Sequence, residues 1–67
     1  MNLEDFLNKH IIVNLRDGTN VEGILIEVKD IDDVSNSIFY TMLIIRVDNN
    51  DYRTIYINEV ESVCEIS

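Results

Sequence analysis

The stretch VNLRDGTNVEGIL, residues 13–25, constrains the fold more than any other part of this chain. Apolar and polar residues alternate through it, so each half reads as a strand with one face turned to a core. Arg16-Asp17-Gly18-Thr19 separates the halves, and Gly18 supplies the positive φ that hairpin geometry demands. Asp17 reads as a turn residue whose side chain bonds its own backbone. Gly23, the second and last glycine, falls inside the next strand rather than at its end. A glycine there marks a bulge, a sharp bend or a close approach of another backbone.

The same two-residue period runs on either side. Ile11, Val13 and Leu15 share one face of a first strand that opens at His10. A second strand extends from Asn20 to about Lys29, with Val21 and Leu25 on one face and Ile24, Ile26 and Val28 on the other. The polar, acidic DIDDVSNS, residues 30–37, reads as a loop. A third strand covers about 38–47, presenting either Ile38, Tyr40, Met42 and Ile44 or Phe39, Thr41, Leu43, Ile45 and Val47 to the core. DNND is a tight turn, Tyr52 to Ile57 a fourth strand, and Val60 to about Ile66 a fifth. Before the strands, Asn2 is a good N-cap and Leu3, Phe6 and Leu7 form one apolar stripe, which predicts a short α-helix over residues 3–9. A strand that is apolar on both faces and bent at a glycine suits a small closed barrel. The expectation is one mainly β domain over residues 1–67, a five-stranded SH3-like barrel with a short N-terminal α-helix.

Size and charge narrow the function. A chain this short buries only roughly 60% of the surface its unfolded form exposes, and small folds usually add disulfides, a metal or a partner subunit. With Cys64 as the one cysteine and His10 as the one histidine, an internal disulfide and a zinc cluster are excluded, which leaves self-association. The net charge is −8, with Lys9, Arg16, Lys29, Arg46 and Arg53 set against 13 acids. Nucleic-acid affinity rests largely on cations that neutralise phosphates, so any such function needs these few concentrated in one place. Asp30, Asp32 and Asp33 resemble the start of a calcium loop, but the glycine and the distant Glu of that loop are absent, and a solvated turn is the plainer reading. No nucleophile elbow, phosphate loop or paired-carboxylate signature is present, so neither an enzyme nor a cofactor is expected. MNLEDFLNKH is acidic and too short in apolar length for a signal peptide, and no run approaches a membrane span, so a soluble cytoplasmic protein is the expectation.

Val13-x-Leu15-x-Asp17-Gly18-x-x-Val21-x-Gly23-x-Leu25 resembles the first motif of the Sm/LSm proteins. Ile55-x-x-x-x-Val60-x-x-Val63 fits the position of their second motif, and the chain looks like a divergent bacterial or phage-type member. The resemblance implies an Sm-like barrel in which Gly18 closes the first hairpin and Gly23 lets strand two serve both halves. It implies a homo-oligomeric ring, formed by pairing strand four of one copy with strand five of the next. It further implies binding of single-stranded nucleic acid, RNA in the first place, at loops around the pore, in RNA processing or regulation. At those loop positions Tyr56 or Tyr40 would stack on a base, Asn58 or Asn36 would hydrogen-bond it, and Lys29 would be the nearest phosphate partner. Two departures stand against this. The family's Asp-x-x-Met-Asn loop is replaced by the longer, more acidic stretch from Lys29 to Asn36, and its Arg-Gly by Tyr56-Ile57. The alternative is an acidic structural or protein-interaction module that keeps the barrel and has lost RNA binding. Convergence of Lys29, Arg46 and Arg53 on one face favours RNA; scatter among acids favours the alternative.

Overall fold

Alternation selects the core as the sequence requires. The computed structural model describes residues 2–66. Ile11 and Val13 in β1 (His10–Leu15) are fully buried, as are Leu25 in β2 (Asn20–Asp33) and Leu43 and Ile45 in β3 (Ile38–Asp48). Ile55 from β4 (Asp51–Tyr56) and Val60 from β5 (Val60–Glu65) complete the cluster. Of the two candidate faces of β3, the one carrying Leu43, Ile45 and Val47 turns inward.

The strands form one antiparallel sheet in the order β4-β3-β2-β1-β5. β2 joins its halves. Residues Asn20 to Ile24 pair with β1, and Ile24 to Asp33 pair with β3, so Ile24 is paired on both sides, with His10 and with Arg46. Gly23 is buried next to this handover. A Cβ placed there would strike the Arg46 carbonyl oxygen and lie 2.8 Å from Ile45 Cγ2. Gly23 is therefore required by the close approach of β3. Gly18 has the positive φ expected of it, +92°, and its N–H donates to Leu15 O at 3.1 Å.

Three expectations are corrected. The sheet is not closed as a barrel: β4 and β5 remain its two edges. The turn after β1 does reach the segment between them, with Arg16 N donating to Glu59 O (2.9 Å) and Arg16 Nε to Asn58 O (3.1 Å). The N-terminal segment is not an α-helix but a 3-10 turn over Leu3–Phe6, capped by Asn2 Oδ1, which accepts from Glu4 N. So short a segment cannot repay α-helix nucleation, and Asn8, with φ 66°, ends it. Its Leu3, Phe6 and Leu7 still pack on the core as a stripe. Finally, Asp30–Asp33 are not loop. They continue β2 because β3 is long enough to pair with them, Asp33 with Ile38 and Asp30 with Thr41, whose hydroxyl donates to Asp30 Oδ1 at 2.6 Å. Only residues 34–37 turn.

A bulge accounts for one further detail. The β2–β3 register shifts between Leu25 and Glu27, which moves the inward positions from Leu25 to Val28 and leaves Ile26 exposed.

Gly23→Ala is expected to destabilise the fold by roughly 1–3 kcal/mol through overpacking against β3 backbone. Gly18→Ala, whose Cβ meets nothing within 4 Å, carries only the backbone strain of about 1 kcal/mol. Urea unfolding midpoints of the two variants check the order, and a Gly23→Ala protein as stable as the parent would refute the close approach.

Candidate functional site

The most developed concavity follows from unequal strand lengths. The last β3–β4 pair is Met42 with Tyr56, so β3 runs on through Ile38–Thr41 without a neighbour on that side. After Tyr56 the chain turns away through the 3-10 turn Ile57–Glu59, where Glu59 Oε1 accepts a hydrogen bond from Tyr56 N at 3.1 Å. The notch left between them is an open hollow of about 540 Å³ lined by Phe39, Tyr40, Tyr56, Ile57, Asn58 and Glu59. Its floor includes an edge-to-face aromatic pair, Tyr40 and Tyr56, with ring centroids 5.7 Å apart and planes at 66°. Such pairs contribute about 0.5–1.5 kcal/mol beyond area burial, which favours this orientation of the two rings.

The four candidate contact residues divide. Tyr56 and Asn58 meet in the hollow, with Tyr40 beside them. Lys29 lies in the same lateral row as Tyr56, with Met42 between them, two strand spacings or about 10 Å across the sheet. Asn36 is elsewhere, at the tip of the β2–β3 hairpin, where its Nδ2 donates to Asp33 Oδ2 at 2.9 Å. Its amide closes a turn. Asp17 does the same in the first hairpin, accepting from Thr19 N (2.9 Å) and Thr19 Oγ1 (2.6 Å). A smaller hollow of about 180 Å³ lies between that hairpin and Asn58-Glu59. Phe39, Ile57 and Glu59 were not singled out from sequence. The signal that could have found them is that β3 is longer than β4.

The cations do not converge. Lys29 and Arg46 occupy one face of the sheet, but their rows cross β3 at Met42 and at Arg46 itself, about 13 Å apart along the strand. Arg53 stands opposite Ile45 and therefore on the other face. Lys9 is committed to Glu65 at 3.5 Å, and His10 Nε2 lies 2.9 Å from Glu22 Oε2. None of the five basic residues lines the larger hollow, whereas Glu59 does. Among the described residues, no three His, Cys, Asp or Glu side chains are grouped to hold a metal ion. Comparisons with protein-family models, curated proteins and solved structures gave no significant match.

Asp33 and Asp17 are both held below the usual carboxylate value of 3.8, Asp33 first by the Asn36 amide and Asp17 first by the Thr19 hydroxyl. A lowered folded-state pKa contributes stability that is present above the unfolded value and is lost as the pH falls through the folded one. Asn36→Ala is therefore expected to raise the Asp33 midpoint towards 3.8 and to shrink the stability that Asp33 supplies above that pH. Carbon-detected NMR titration of the carboxyls measures this, and an unmoved midpoint would show that the Asn36 contact is not made.

Proposed function

We propose that this chain is an Sm-like module that assembles into a homo-oligomeric ring and works in the cytoplasm as an acidic protein-interaction scaffold without enzymatic activity. The observation that carries the reading is the sheet order, which leaves two unlike free edges, β4 and β5. Bare strand edges present unpaired N–H and C=O groups, and pairing them removes that liability. Pairing β4 of one copy with β5 of the next is a heterologous contact, which closes into a ring when the rotation permits. β4 supplies a cation, Arg53, and β5 an acid, Glu61, to such a contact. A core of only seven buried apolar side chains among the described residues is the second support, because so small a core gains much from a neighbour.

Charge favours protein over nucleic acid. A ring repeats the −8 of each subunit, and the dispersal of Lys29, Arg46 and Arg53 offers phosphates no continuous track. One observation favours the second reading, a single-stranded RNA binder: Tyr40, Tyr56 and Asn58 converge in one hollow, the aromatic-and-amide set that stacks and hydrogen-bonds a base.

Light scattering is expected to give a mass that is a multiple of the 7.8 kDa subunit. Arg53→Glu places an acid against the acidic β5 edge and is expected to shift the mass towards the monomer at low salt, with recovery as salt screens the repulsion. A monomeric parent protein would sink the ring. Anisotropy titrations with U-rich and A-rich oligonucleotides decide between the two ligand classes: no binding at low salt is expected, and binding there would replace the scaffold reading with the RNA one.

A further inference from the structure

One stretch of sheet edge differs from the others in what guards it. Natural edges are blunted by charged side chains. The open side of β2 beyond Leu25, which still bonds Asn8 and Lys9, carries Glu27, Lys29, Asp30, Asp32 and Asp33; β4 carries Asp51 and Arg53; β5 carries Glu61 and Glu65. The open side of β3 carries Ile38, Phe39, Tyr40 and Thr41, with no charge at all. Phe39 is 63% exposed there and Ile38 46%. This stretch already has a full partner on its other side, from Asp33 to Asp30 of β2, so its backbone is held extended with the remaining hydrogen-bonding groups facing the notch.

We propose that the Ile38–Thr41 edge of β3 accepts an extended, basic segment of a partner protein as an added strand. The proposal deepens the scaffold reading and rests on it for the kind of ligand, but not on the ring. Strand addition takes its affinity from main-chain hydrogen bonds and its specificity from alternate side chains. The notch provides both: a bare edge, and walls of Tyr56 and Ile57 for the apolar positions of an incoming strand. Charge selects the other positions. Asp32 and Asp30 lie one strand beyond Phe39 and Thr41, about 10 Å from an incoming residue, and Glu59 stands in the wall, so the notch lies in an acidic field that favours lysine or arginine at alternate positions. A second copy of this chain is a poor occupant, because its free edges β4 and β5 offer Arg53 as their single cation beside Asp51, Glu61 and Glu65, not lysine or arginine at alternate positions.

The test is an NMR titration of the 15N-labelled full chain with two short synthetic peptides, one alternating valine with lysine and one alternating valine with glutamate. The lysine peptide is expected to shift the amides of Ile38–Thr41 and protect them from exchange, and the glutamate peptide to bind at least about tenfold more weakly. Asp32→Lys, an exposed change, is expected to weaken the lysine peptide by about threefold at low salt while the spectrum elsewhere keeps its dispersion. Phe39→Ser is expected to weaken both peptides. Four results overturn the proposal: no shift at Ile38–Thr41, shifts confined to β4 and β5, protection that grows with protein concentration in the absence of peptide, or shifts there with an oligonucleotide only. Light scattering on the same samples separates the two claims. A monomer whose notch amides shift loses the ring and keeps the site; an oligomer whose notch amides stay still loses the site alone.

Discussion

The fold depends on how near β3 comes to β2 at Gly23. No side chain fits between that residue and the Arg46 carbonyl, and the two backbones meet where β2 passes from one neighbour to the other. Because Ile24 alone is paired with both His10 and Arg46, the sheet is in effect two three-stranded pieces that share one strand. The seven buried side chains come from all five strands, so the core exists only because the shared strand brings the pieces face to face. Without that contact the apolar faces of β1 and β3 would have no common interior.

The openness of the sheet and the small size of its core are two views of one constraint. The five strands form one ladder that does not close on itself, so two edges remain. The acids then perform two tasks. Those on the outer strands discourage indiscriminate edge pairing, and together they surround the exposed Phe39, Tyr52 and Val34 with like charge that opposes association. Where they are missing, along the uncovered part of β3, an uncharged bare edge and the hollow of about 540 Å³ fall in the same place.

Much of this was legible in the residues, and the remainder was hidden for physical reasons. Gly18 and Asp17 announce a tight turn by local chemistry alone, and the structure puts the positive φ and the Thr19 hydrogen bonds there. The burial of Ile11, Val13, Leu25 and Leu43 follows from alternation. Asp30–Asp33 read as loop because their composition is loop-like. Their strand conformation is imposed by a partner across the hairpin, which local sequence does not reveal. The N-terminal segment carries a helical stripe, but a stripe does not disclose that too few residues remain before Asn8 to complete an α-helix. Of the candidate contacts, Tyr56 and Asn58 fall together because one ends a strand and the other sits in the turn that follows. Asn36 has the same chemistry as Asn58, yet its amide is consumed locally by Asp33. The hollow itself arises from a mismatch of strand lengths, a relation between two segments that neither one displays.

The β1–β5 ladder has a consequence for how the molecule comes into being. The β1–β2 and β2–β3 hairpins join near neighbours and can zip quickly, whereas Asn14 meets Ser62 across a separation of 48 residues. Long loops close slowly, so this pairing comes late in assembly of the native state. Until it forms, the strand holding Ile11 and Val13 is a naked template for any passing chain, and a nascent protomer is most prone to mispair in that interval.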